Sequence, residues 1–192
     1  MRKAISMFLL ALIAYSCNSR KSLNAAEYVR YFGQATESHK IQTTAIDYQL
    51  ILVTPECIAA REVLLQEKRF DVEAYNKRLK DIEDNTYVFV RLYSKSDNAI
   101  SKERQVLYYQ QYAQKQMRLI ADDNKELAPE YVNYEDSYGL APYNTIVVCF
   151  NHSLRQIEKA VQFVYDDALY GNSNIRLSYS RRDIDAFPQL KI

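Results

Sequence analysis

Tyr48-Gln49-Leu50-Ile51-Leu52-Val53-Thr54-Pro55-Glu56 is the stretch that decides the fold. Its first six residues are rich in β-formers and run into a Thr-Pro step, so they read as a strand. Thr54, Pro55 and Glu56 then supply an N-cap, a proline suited to the first helical position and an acid for the first turn. A helix over 57–68 is therefore expected directly after the strand. Cys57, Ala60, Val63 and Leu64 share its apolar face, while Glu56, Arg61, Glu62, Glu67 and Lys68 stay solvated.

Toward the C-terminus, Asp71 caps an expected second helix over 72–82, with Tyr75, Leu79 and Ile82 as its apolar stripe. From 86 to 93, Tyr87, Phe89 and Arg91 alternate with Val88, Val90 and Leu92, the two-residue period of a strand. A helix fits 103–117, and the chain turns extended at Arg118-Leu119-Ile120. Strands are expected at 126–134, 145–150, 161–165 and 175–179, the last two joined by the turn-rich Tyr170-Gly171-Asn172-Ser173-Asn174. Toward the N-terminus, 28–32 and 41–44 read as short strands. The fold class is α+β, a largely antiparallel sheet or small sandwich with two or three helices packed against it.

The first 16 residues have a different character. Arg2 and Lys3 precede a run from Ala4 to Tyr15 that is apolar apart from Ser6. That run is shorter than the about 20 residues a transmembrane helix needs, and it suits the hydrophobic region of a secretory signal, roughly 7–15 residues long. Leu12-Ile13-Ala14-Tyr15-Ser16-Cys17 follows, with a small residue directly before a cysteine. This resembles the lipobox of bacterial lipoproteins, which implies cleavage before Cys17 and lipidation of its thiol. Tyr15 departs from the stricter form of the box, in which a small residue occupies that position. The resemblance implies a signal peptide over 1–16, a lipidated cysteine and tether over 17–24, and one globular domain over 25–192. Asn18, which is not the aspartate associated with inner-membrane retention, implies an outer-membrane anchor. The lack of an acidic cluster after it implies a domain facing the periplasm of the cell envelope. Pro142-Tyr143-Asn144-Thr145-Ile146-Val147-Val148, with Phe163-Val164-Tyr165-Asp166-Asp167, is loosely similar to uncharacterised Bacteroidota-type lipoproteins and implies no activity.

Loss of Arg2 and Lys3 with the signal turns the formal charge of +1 into −1, so no basic excess points to nucleic acid. Three glycines and four prolines leave no flexible linker to divide the chain. With Cys17 lipidated, Cys57 and Cys149 remain. An oxidising envelope permits them to form a disulfide, and two buried free thiols are the alternative.

No phosphate loop, dinucleotide fingerprint, HExxH or GxSxG occurs, so no catalytic residue, metal site or cofactor is assigned. Asp122-Asp123-Asn124-Lys125-Glu126 lacks the glycine and distal glutamate of a calcium loop and reads as a solvated turn. Asp166-Asp167 could hold a cation and reads equally well as an acidic turn after a strand. Cys149 and His152 point to opposite faces of one strand, against a thiol nucleophile with its base. The unusual feature is 17 tyrosines with no tryptophan. Tyr108, Tyr109, Tyr112, Tyr131 and Tyr134 are the candidate binding surface, because tyrosine offers apolar area and a hydroxyl at low entropic cost. The expected role is a non-catalytic interaction module, an accessory subunit of an envelope protein complex. A ligand-binding lipoprotein for a glycan, peptide or lipid is the alternative, and an envelope hydrolase a third.

Overall fold

The computed structural model describes residues 20–34, 39–67, 69–95, 100–122 and 124–192; Cys17 and the signal lie outside them. The fold is α+β, organised around two antiparallel sheets. The strand expected from Tyr48 onward is β3 (Ile46–Val53), the second member of a five-stranded sheet. Its neighbours are β2 (His39–Gln42) on one side and β4 (Thr86–Ser94) on the other, followed by β8 (Asn144–Phe150) and β7 (Tyr131–Glu135). A four-stranded sheet packs on it, in the order β10 (Asn172–Ser180), β9 (Ala160–Asp167), β5 (Met117–Ala121) and β6 (Lys125–Leu127).

Alternation along the strands fixes which residues meet. Tyr48, Leu50 and Leu52 stand opposite Leu92, Val90 and Val88, and these opposite Asn144, Ile146 and Val148. On the other sheet, Leu119 pairs with Phe163 and Phe163 with Leu177. These apolar rows face one another across the sandwich, with Phe150 and Phe163 in edge contact at 6.2 Å between ring centroids.

The helices α1 (Ala25–Gln34), α2 (Pro55–Gln66) and α3 (Val72–Ile82) pack in series, α1 on α2 and α2 on α3. Thr54 caps α2 by accepting from the Cys57 amide at 3.3 Å, and Asp71 caps α3 through the Glu73 and Ala74 amides. The stretch 28–32, expected as a strand, is helical. Asn24 and Glu27 form a reciprocal cap, the Glu27 amide donating to Asn24 Oδ1 at 3.0 Å and the Asn24 amide to Glu27 Oε2 at 3.2 Å. Tyr28 and Phe32, one turn apart, then bury the same face with their rings at 5.3 Å.

Other boundaries shift for local reasons. The stretch 126–134 divides into β6 and β7, which lie in different sheets on either side of Ala128-Pro129-Glu130, where proline cannot donate to a ladder. The helix at 103–117 is α4 (Lys102–Gln111) followed by a 3-10 turn (Ala113–Gln116). The 170–174 turn closes the β9–β10 hairpin, with Gly171 and Asn174 at φ +67° and +60°. Ser22 and Leu23, inside the stretch read as tether, already belong to the fold. They form β1 (Ser22–Leu23), parallel to β11 (Gln189–Leu190), which follows the short α5 (Arg181–Asp185).

Candidate functional site

The face of the five-stranded sheet turned toward the helices is apolar along two rows: Val53, Tyr87, Cys149 and Tyr131, then Ile51, Phe89, Val147 and Asn133 but for its last member. The next row is polar throughout, because register aligns Gln49, Arg91, Thr145 and Glu135 across four strands. A cleft of about 310 Å³ opens over this row, walled by α1, α2 and the 136–143 loop. Val29, Phe32, Phe89 and Tyr143 give it apolar sides.

Arg91 dominates its electrostatics. The side chain is only 8% exposed, yet no carboxylate of the described residues pairs with it. Nη1 donates to Gln49 Oε1 at 3.3 Å, an oxygen that also accepts from the Tyr93 hydroxyl at 2.9 Å. The guanidinium lies 4.5 Å from the Tyr143 ring centroid, a cation–π contact. Nε is buried with no hydrogen-bond partner. Desolvating a cation without a matching anion costs on the order of several kcal/mol, so this arrangement stores an unmet demand for negative charge. The neighbouring charges are already matched. Arg61 on α2 meets Glu135 at 3.3 Å, and Lys102 meets Asp136 at 2.8 Å, which holds the Asp136 carboxyl below its usual range.

The 136–143 loop forms the wall carrying Tyr143. Ser137 ties it down, its amide donating to Asn144 Oδ1 at 2.9 Å and its hydroxyl to the Ala141 carbonyl at 3.2 Å. At the tip, Tyr138 adopts φ +50°, unusual for a bulky residue, and Gly139 φ +81°. Tyr138 and Leu140 beside them are 80% and 94% exposed.

A second, larger cleft of about 390 Å³ lies at the far end of the same sheet, lined by Arg20, Tyr28, Thr54, Glu56, Arg155 and Arg181 among others. Its charges satisfy one another. Arg20 and Arg181 share Asp185 at 3.0 and 2.7 Å, Arg155 sits between Glu56 and Glu83 at 3.6 and 3.4 Å, and the Tyr28 and Thr54 hydroxyls bond at 2.9 Å.

The five tyrosines expected to form a binding surface do not form one. Tyr109 and Tyr134 are buried, their rings stacked at 5.3 Å, and Tyr108 is half-buried with its hydroxyl accepting from the Ala168 amide. Tyr112 and Tyr131 alone among them are exposed. The inward pull is Asp167, 0% exposed, which accepts at Oδ2 from the hydroxyls of Tyr48 at 2.7 Å and Tyr109 at 3.2 Å and at Oδ1 from the Leu169 amide at 3.0 Å. Burial raises its pKa above the ordinary value.

Cys57 and Cys149 are free and buried, so of the two arrangements the sequence left open, the disulfide is not formed and the buried free thiols are. Cys57 sits on α2, where burial pushes the thiol up to about 12. Cys149 lies between its cross-strand neighbours Tyr87 and Tyr131, and burial raises it too. His152 has no hydrogen bond at its buried Nε2, and burial lowers its pKa. Asp122 is a structural clamp, its carboxylate accepting from the Glu158, Lys159 and Ala160 amides. Among the described residues no cluster of three His, Cys, Asp or Glu has the arrangement of a metal site, and no helix is long and apolar enough to cross a membrane. Arg91 was visible in the sequence as an arginine in the phase of a strand that otherwise carries Tyr87 and Phe89.

No protein-family model matches the chain, and no curated protein matches it. Among solved structures, a Burkholderia pseudomallei protein described as a novel protein of unknown function is similar at 12% identity over 85% of this chain and 92% of its own, with a TM-score of 0.39.

Proposed function

We propose that this chain is a lipid-anchored, non-catalytic binding module of the cell envelope, tethered through Cys17 and capturing a small ligand in the Arg91 cleft. The observation that carries the reading is the buried guanidinium at that cleft, desolvated by the fold and left without a counter-charge. The tyrosine surface that would have favoured a docking subunit is largely interior, which moves support to the ligand-binding alternative.

The positions of the two clefts agree with an anchor at Cys17. Three residue steps separate Cys17 from Arg20, at most about 11 Å of chain. Arg20 lines the cleft at the Val53 end of the sheet, whereas the 136–143 loop precedes β8 at the Ile46 end. A lipid on Cys17 therefore keeps the Arg91 cleft at the end away from the bilayer, open to solutes.

Two experiments test this reading. In the full-length protein purified in mild detergent and then denatured, thiol titration gives two reactive thiols if Cys17 is alkylated, and three would remove the anchor. For the cleft, a thermal-shift screen of small soluble compounds should find a chemotype that raises Tm in wild type and not in Ala141→Trp, which fills the cleft. Stabilisation that survives the tryptophan, or none from any compound, sinks the binding reading.

A second reading keeps the module as a partner-binding subunit, and the exposed Tyr138 and Leu140 favour it. Co-purification of one stoichiometric protein, lost in the Tyr138→Ser, Leu140→Ser double variant, would support that reading over the first.

A further inference from the structure

We infer that Arg91 makes the cleft selective for a monocarboxylate with an apolar body; this rests on the ligand-binding reading above and names its ligand class. The charge count comes first. Arg61 is matched by Glu135 and Asp136 by Lys102, which leaves the Arg91 guanidinium as the one uncompensated charge lining the cleft among the described residues. One unit of positive charge fits one unit of negative charge. A dianion such as phosphate would bring a second charge close to Glu135 and Asp136, whose carboxylates line the same cleft.

Geometry and surroundings agree with a carboxylate. A planar guanidinium presents its donors in a fork that matches two carboxylate oxygens, and here Nε has no protein acceptor. Tyr143 covers one face of that guanidinium at 4.5 Å and Nε is itself buried, so an acceptor reaches Nε on displacement of the ring. Tyr143 belongs to the same loop whose tip carries the positive φ angles of Tyr138 and Gly139. Among the remaining walls, Val29, Phe32, Phe89 and Ala141 are apolar and Ser137 and Thr145 are neutral, so none offers charge to a ligand's body. The volume of about 310 Å³ is at the small end of the roughly 300–1,000 Å³ of ligand pockets, which excludes long chains and polysaccharides as fully enclosed occupants.

The experiment titrates the full-length protein in detergent at pH 8.5, where inorganic phosphate is a dianion and hexanoate a monoanion, with hexanoate, hexanamide and phosphate, following binding by calorimetry or ligand-observed NMR. The expected result is saturable hexanoate binding at least tenfold tighter than that of hexanamide, with no phosphate binding. Arg91→Gln should bring hexanoate down to the level of hexanamide. Gln49→Glu is the second variant, because it places a carboxylate beside Nη1 and supplies the missing counter-charge from within; it should abolish the preference for hexanoate while the fold is retained. Equal binding of hexanoate and hexanamide in wild type would overturn the charge selectivity and leave the cleft reading standing. Binding of neither would overturn both. Phosphate binding as tight as hexanoate would overturn the monoanion assignment, and a hexanoate preference that persists in both variants would remove Arg91 from the site.

Discussion

Two buried charges sit on opposite faces of the same five-stranded sheet, and neither has a partner of opposite sign among the described residues. Asp167 reaches it from the second sheet, between the two layers, and Arg91 projects from β4 on the helix side. Around Asp167 the chain supplies the donors itself: the Tyr48 and Tyr109 hydroxyls and the Leu169 amide, with Asn172 Nδ2 in turn donating to the Tyr48 oxygen at 3.0 Å. Around Arg91 it supplies Gln49 Oε1, with the Tyr93 hydroxyl beside it, and one aromatic face, and leaves Nε without a partner. A buried polar group whose bonding capacity is filled from within serves the fold. One left short inside a cleft is where the molecule is completed from outside.

That contrast breaks most visibly on the Asp167 side. Tyr48→Phe deletes the shorter hydroxyl contact, weakens the carboxylate's solvation and leaves Asn172 Nδ2 with only its longer bond to Thr43 Oγ1 at 3.4 Å. Leaving buried polar groups unsatisfied costs about 1–3 kcal/mol each, so a loss of about 2–3 kcal/mol in chemical unfolding is expected. A cost below about 1 kcal/mol would show that this cluster is no more complete than the one at Arg91. The second effect is one of pH. Burial raises the folded-state pKa of Asp167, so the folded protein binds a proton more tightly than the unfolded chain. The resulting stability is fully present below the unfolded carboxylate value and is lost as pH rises through the folded one. Unfolding free energies of wild type and Asp167→Asn, compared at pH 7 and at pH 4, close to the unfolded carboxylate value, should therefore shift in favour of wild type at the lower pH. A difference that does not change with pH would mean that Asp167 titrates as an exposed carboxylate does.

The two sides also differ in how far the sequence foretold them. The β3–α2 junction was legible because Thr54, Pro55 and Glu56 each act locally, as cap, helix starter and first-turn acid. The α+β class followed from period-two stretches such as 86–93. The α1 helix was missed because its signal is a cap built on Asn24 and Glu27 and an aromatic pair one turn apart, while the aromatic content of 28–32 suggested a strand. Tyrosine direction was beyond reach. Whether Tyr109 faces solvent depends on Asp167, 58 residues later, and no local pattern links them. Arg91 lay between these extremes. Its phase in β4 was readable, but the absence of a counter-charge depends on where Arg61, Glu135, Lys102 and Asp136 meet in space.

The smallest expected change in stability is therefore the most telling. Arg91→Met keeps an unbranched chain of similar reach, removes a desolvated charge with an incomplete set of acceptors, and leaves Gln49 Oε1 still bonded by Tyr93. The cation–π contact with Tyr143 is lost, worth roughly 0.5–2 kcal/mol, while the desolvation of the guanidinium is relieved. These terms oppose one another, so stability should stay within about 1 kcal/mol of wild type in urea unfolding, since replacing buried ionic groups by apolar ones is often neutral or stabilising. The result to set against it is hexanoate binding, which the same substitution should lower to the level of the neutral amide. A loss of stability as large as that of Tyr48→Phe would place Arg91 with Asp167, as a group the fold needs. Stability kept and binding lost would show that the two buried charges serve different ends, one internal to the sandwich and one directed at a ligand.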